Sequence, residues 1–279
     1  MEAIITTLSN DVSRFKPNND LSEEDKNYCN GVYESYSNHI THVQGLLHFV
    51  ENKNSGFEEL HKEKKQHFSL KKVGDAIECL NDTIESLTES FILRLENYFA
   101  KRYCLVFESI ILKREKLTPD RFSSYDLIIK NITGQVGSDL LKAGKEQIKN
   151  RFLKCFHKDR LPILKGNKIT IPDFISLDEH YGAKISLRDE YNSGLVRLIN
   201  ALNLFLHDST ELPERNTSQL IEWKTIIDLT EHYKVFSEVS FRFFKNRRID
   251  VLFGDAVTAR KFWNYYKLEI IEKIISKND

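Results

Sequence analysis

The chain has 279 residues, of which 41% are hydrophobic, and carries 41 Lys+Arg against 41 Asp+Glu, so its formal net charge is zero. Neutrality excludes a global field that would drive the protein onto DNA, RNA or an anionic membrane; any such surface must be a local patch balanced by acid elsewhere. The apolar fraction excludes intrinsic disorder, and a chain this long buries about 75% of its unfolded surface, enough for a core without disulfide staples.

Residues 1–20 read as a loose leader closing on Lys16-Pro17-Asn18-Asn19-Asp20. They lack the basic region and sustained apolar run of a signal peptide. No later stretch approaches the roughly 18 uncharged apolar residues of a membrane span. The expectation is a soluble cytoplasmic protein. Cys29, Cys79, Cys104 and Cys155 are too widely spaced for zinc-type pairing, and they read as free buried thiols of a reducing compartment.

Ser22 and Asp25 form an acidic variant of the capping box that opens a helix. Val32, Tyr36, Ile40, Val43, Leu47 and Val50 follow on one helical face, and the helix is expected to stop near Asn54-Ser55-Gly56. Residues 57–72 are dense in Lys, Glu and His and read as a solvated helix or connector. Val73, Ile77, Leu80, Ile84, Leu87, Phe91, Leu95 and Tyr98 then keep a near-heptad rhythm for about seven turns. Two long amphipathic helices joined by a polar connector predict an antiparallel hairpin.

The pattern loosens after residues 103–107, with punctuation at Thr118-Pro119-Asp120 and from Gly134 to Gly137, before a helix from about Ser138 to Phe156. Lys165-Gly166-Asn167-Lys168 then makes a tight turn between short β-type runs. Ser186 with Asp189 signals a helix whose inward face is Tyr191, Leu195, Leu198, Leu202 and Phe205. Another helix is expected after Asn216-Thr217-Ser218, with Leu220, Trp223 and Ile227 inward. The strongest hairpin signal comes last: Val239, Phe241 and Phe243 alternate with polar residues, turn at Lys245-Asn246-Arg247-Arg248, and return as Ile249, Val251 and Phe253. Asp255 caps a final helix that should run through Ile275. The fold class expected is α+β. A long helical hairpin or bundle forms the N-terminal half, and mixed helices with small antiparallel β-hairpins form the C-terminal half. Residues 21–158 make the helical region and 159–279 the α+β region, packed separately or as one continuous domain.

Three stretches taken together carry a family resemblance: Glu89 to Phe99, the turn from Lys165 to Ile171, and Phe241 to Phe253. In this order they resemble a bacterial domain-of-unknown-function family, number four-nine-four-two, over roughly residues 75 to 265. The resemblance implies a home in prophages, plasmids and genomic islands, with some relatives beside or joined to DNA adenine methyltransferases. It implies no catalytic residues. This chain departs from the family pattern at Arg247, where relatives often have Gly, and at Gly254, where they often have Lys.

Adenine-methyltransferase chemistry is excluded for this chain alone. It needs an Asn/Asp-Pro-Pro-aromatic loop to hold a flipped base and a Gly-rich turn to hold its cofactor. The chain has 5 prolines, none adjacent to another, and no such glycine cluster. His39 and His42 lie one turn apart and are weak metal candidates, lacking a nearby carboxylate or thiolate to complete a site. Asp173 with the distant Glu222-Trp223-Lys224 superficially matches paired nuclease acids and a lysine, but the second part falls in a predicted helix where a nuclease core wants a strand. Asp178-Glu179-His180 reads as a solvated turn.

The basic hairpin remains. Lys245, Arg247 and Arg248 at its tip, Arg242 on its polar face, and Arg260 and Lys261 on the following helix are the candidate nucleic-acid-binding residues. Phe244, Trp263 and Tyr265 are candidates for stacking on unpaired bases. The expected function is therefore a non-enzymatic accessory protein of a mobile element that binds DNA, RNA or a partner protein through this hairpin. No cofactor, catalytic residue or membrane contact is expected, and the helical half offers a surface for a protein partner or homodimer. The alternatives are a metal-dependent nuclease or toxin-like effector, and a protein–protein adaptor of a DNA methyltransferase or phage-defence system.

Overall fold

The computed structural model describes residues 21–64, 70–113, 118–156, 160–180, 184–187, 193–211 and 226–271. The protein is α+β and falls into two compact units, Met1–Ala100 with Val106–Leu140 and Lys101–Leu105 with Leu141–Asp279.

In the first unit, α1 (Glu23–Lys64) and α2 (Leu70–Tyr103) are the two long helices. The Ser22 hydroxyl accepts the Asp25 N–H at 3.1 Å and donates to the Asp25 carboxylate at 2.6 Å, the local cap that the sequence encodes. Asp25 is fully buried and also accepts the Tyr98 hydroxyl at 2.9 Å. Tyr28 stacks on Tyr98 with centroids 3.8 Å apart, and Tyr36 stacks on Phe91 at 4.3 Å. Rising numbers on α1 thus meet falling numbers on α2, the expected antiparallel hairpin. Val32, Tyr36, Ile40, Ile84, Phe91 and Leu95 are buried along this seam, while Val43, Leu47, Val50, Val73, Ile77 and Leu80 are half-buried. The expected stop at Asn54-Ser55-Gly56 is overturned, because α1 continues to Lys64. A glycine costs a helix only about 1 kcal/mol and does not end it without a proline or a left-handed cap. The unit is completed by 3₁₀ turns at Ile110–Lys113 and Pro119–Phe122, and by α3 (Asp126–Val136), which Gly137 terminates at φ 94°.

The second unit holds α4 (Leu140–Leu153), β1 (Ile163–Lys165), β2 (Lys168–Ile171), β3 (Leu177–His180), β4 (Lys184–Leu187), α5 (Ser193–His207), β5 (Ile226–Ile227), β6 (Tyr233–Phe236), β7 (Val239–Phe243), β8 (Ile249–Phe253) and α6 (Ala256–Tyr265). One antiparallel sheet has the order β1-β2-β8-β7-β6 and a smaller one the order β3-β4-β5. The β1–β2 turn is tight, with Lys165 opposite Lys168 and Gly166 at φ 62°. The β7–β8 hairpin keeps the expected alternation, with Val239, Phe241, Phe243, Ile249, Val251 and Phe253 all buried. Its turn places Arg247 at φ 64°, a left-handed position that favours glycine and that this chain fills with arginine.

The large sheet buries one face under helices. Ile169, Ile171, Phe241, Phe243, Ile249 and Val251 form a single core with Phe152 of α4, Leu198 and Leu202 of α5, and Ala259 and Phe262 of α6. Each fully buried large side chain contributes about 1.5–3 kcal/mol. Phe262 lies near the middle of this packing, with ring centroids 5.8 Å from Phe152, 5.3 Å from Phe205 and 5.5 Å from Phe253.

Several local expectations yield to strand pairing. Ser186 lies within β4 and does not start a helix; α5 begins at Ser193. Asp178, Glu179 and His180 belong to β3, not to a turn, because they pair in register with Ser186, Ile185 and Lys184. Ile227 lies on β5, whereas residues 216–225, the site of the other expected helix, are outside the described residues, as are the leader 1–20 and Tyr191. Asp255 caps the last helix through the Thr258 N–H at 2.8 Å, but α6 ends at Tyr265, ten residues before Ile275. Lys267 at φ 52° then breaks the helical path before a short 3₁₀ turn at Leu268–Ile270.

Candidate nucleic-acid interface

Alternation along a strand sends successive side chains to opposite faces, and residues paired across an antiparallel ladder share a face. Since Ile169, Val251 and Phe241 look into the core, their neighbours in sequence form the other face. One row across the sheet reads Lys165, Lys168, Leu252, Ser240 and Lys234, from β1 to β6. The next row reads Ile163, Thr170, Asp250 and Arg242. At the turn, the Phe244 N–H bonds the Arg248 carbonyl at 3.0 Å, which extends the ladder and sets these two side chains beside Arg242 and Asp250. On its strands this face carries the cations Lys165, Lys168, Lys234 and Arg242 against one carboxylate, Asp250.

Asp250 is nearly inaccessible, with 3% exposure, and organises the middle of the face. It accepts the Thr170 hydroxyl at 2.8 Å and lies 3.1 Å from the Lys168 ammonium and 3.4 Å from Arg248 Nε. A buried carboxylate needs such partners, since an unpaired one would carry its full desolvation cost. The Arg248 guanidinium also sits over the Phe244 ring at 3.7 Å from the centroid, and that of Arg242 at 5.2 Å. The two Nε–H groups are enclosed there without an acceptor in hydrogen-bond geometry among the described residues. The Arg248 plane is therefore held in place by the ring and by the Asp250 charge, and Arg242 lies against the same ring.

At the tip, Asp173 (φ 45°) pairs with Arg160, and Arg247 Nη1 approaches the same carboxylate at 3.9 Å. Asp173 thus faces two guanidinium groups. Its supposed partners Glu222 and Lys224 are outside the described residues.

Of the residues singled out in the sequence, the structure brings Arg242, Lys245, Arg247 and Arg248 together on the polar face and its turn. It does not add Arg260 and Lys261. These sit on α6, which covers the opposite, apolar face of the sheet with Ala259, Phe262 and Trp263 turned inward and Arg260 and Lys261 exposed. Phe262 packs on Phe253, at the end of β8 remote from the turn. Lys165, Lys168, Lys234 and Arg160 were missed. Their signal was the alternation of lysine with apolar residues in Lys168-Ile169 and Lys234-Val235, which becomes a surface only once strand order is known.

The three aromatic candidates are all engaged. Trp263 is buried in the core, and Phe244 is covered by guanidinium groups. Tyr265 takes the Lys149 ammonium at 4.3 Å and the edges of Phe205 and Tyr266.

Elsewhere, His39 and His42 are exposed on α1, and each ring Nδ1 lies against a carbonyl of its own helix, Ser35 at 2.6 Å and Asn38 at 2.7 Å. Among the described residues no three His, Cys, Asp or Glu side chains gather as a metal site, and no helix is long and apolar enough to cross a membrane. The four cysteines are free, but only Cys29 is buried; Cys79 is exposed and Cys104 and Cys155 are intermediate, which corrects the expectation of four buried thiols. No protein-family profile matches the chain, and neither a curated protein nor a solved structure shows significant similarity to it.

Proposed function

We propose that this protein binds nucleic acid through the polar face of its five-stranded sheet and the adjoining β7–β8 turn. The observation that carries this reading is the gathering of Lys165, Lys168, Lys234 and Arg242 on the polar face of the sheet, around Asp250, with Lys245, Arg247 and Arg248 on the adjoining turn, in a chain whose net charge is zero. Charge sorted in this way attracts a phosphate backbone locally although the whole molecule is neutral. Lysines on the strands supply mobile point charges, while Arg242 and Arg248, lying over Phe244, add fixed positive charge. An accessory role in a mobile element belongs to the same proposal and rests on the resemblance of the stretches within residues 75 to 265.

The test is a titration with labelled DNA and RNA at two salt concentrations. Each phosphate engaged steepens the salt dependence by roughly 0.9 on duplex and 0.7 on single strands, so about four contacts weaken binding by around two orders of magnitude over a fourfold salt increase. Lys165→Glu with Lys234→Glu, both at exposed positions, reduces affinity and flattens the slope. No binding at low salt, or an unchanged slope in the double variant, overturns the proposal.

A further inference from the structure

We infer that this surface recognises the sugar–phosphate backbone alone, so that its ligand class is a linear phosphodiester polyanion and the bases contribute nothing to binding. The inference rests on the nucleic-acid reading above and deepens it.

A sheet that reads unpaired bases does so with aromatic rings open to stacking and with amide or guanidinium groups open to base edges. On this face the aromatic ring and the arginines of the turn already have partners among the described residues. Phe244, its only aromatic ring among the residues of the two rows and the turn, is covered by Arg242 and Arg248. Trp263 and Tyr265 lie on α6, across the sheet from it. The side chain of Asn246, the one amide at the turn, accepts the Arg248 N–H at 3.4 Å. Arg248 is drawn to Asp250, and Arg247 shares Asp173 with Arg160, so neither guanidinium presents an uncommitted fork to a base edge.

What the face does present suits phosphate. Lys165 and Lys234 stand at the two edge strands, four strand spacings or about 19 Å apart. Lys168, paired with Asp250, and Arg242 lie between them, and Ser240 adds a small hydroxyl in the row of Lys165 and Lys234. Ammonium groups on flexible stems follow a chain of phosphates without demanding a base sequence or a fixed strand geometry.

The experiment compares oligothymidylate with an abasic phosphodiester oligomer of the same length and charge, at one low salt concentration, by fluorescence anisotropy competition. The expected result is affinities that agree within about threefold. An abasic oligomer bound at least about tenfold more weakly, the equivalent of one stacked base at ~1.4 kcal/mol, overturns backbone-only recognition while leaving nucleic-acid binding standing. Absence of binding by both oligomers overturns the inference together with the nucleic-acid reading.

Discussion

Two buried acids show how single residues set up this protein. Asp25 was legible from the sequence as a cap, since Ser22 lies three residues before it, but its contact with Tyr98 spans the hairpin and had no local signal. Asp250 gave no sign at all: in the sequence it is one polar residue in an alternating strand, and only pairing with Thr170 on β2 and Arg242 on β7 makes it the anchor of the basic face. Burial also sets the chemistry of Cys29. Enclosure, with a further contribution from the Asp25 charge, pushes its thiol from 9.0 up to about 12. The folded state therefore holds a proton that the unfolded chain releases above pH 9.0, so this contribution to stability is complete below 9.0 and is lost as pH rises toward about 12. Urea unfolding across that window is expected to show a smaller loss of stability in Cys29→Ala than in the wild type. An identical loss in both would contradict the assignment.

At the scale of elements, the amphipathic patterns of α1, α2 and the β7–β8 hairpin were strong enough to survive folding unchanged in type. Short signals were overridden: the helix start expected at Ser186 lost to the β3–β4 ladder, and the Asn54-Ser55-Gly56 stop lost to helix continuation. Glycines inside helices separate propensity from packing. Gly31 of α1 has open space where a Cβ would stand, so Gly31→Ala is expected to stabilise the protein by about 0.5–1 kcal/mol. Gly144 of α4 is different, because a Cβ there would collide with the Tyr103 carbonyl oxygen, which is backbone and yields little. Gly144→Ala is expected to destabilise despite its better helix propensity. Urea midpoints of the two variants, moving in opposite directions from the wild type, check this; a rise in both would show that the α4 contact relaxes freely.

The whole molecule combines a zero net charge with a basic sheet face. Its consequence is spatial selectivity, visible by lysine footprinting with an acylating reagent and mass spectrometry. Lys165 and Lys234 are expected to lose reactivity when a saturating oligonucleotide is added, while Lys261, exposed on α6 and across the sheet from that face, keeps its own. Protection of Lys261 to the same degree would place the ligand on the helical layer of the second unit instead.

Local chemistry in the sequence was sufficient for the α+β class, for the long helical hairpin, for the tight turn at Gly166 and for the alternating β7–β8 ribbon with its basic tip. These follow from periodicity, capping and turn residues acting over a few positions. Tertiary structure alone decided which cations share a surface. Strand order set Lys165, Lys168 and Lys234 beside Arg242 and put Arg260 and Lys261 across the sheet, because side-chain facing depends on pairing between segments up to 86 residues apart, as in the bond from Asn167 to Phe253.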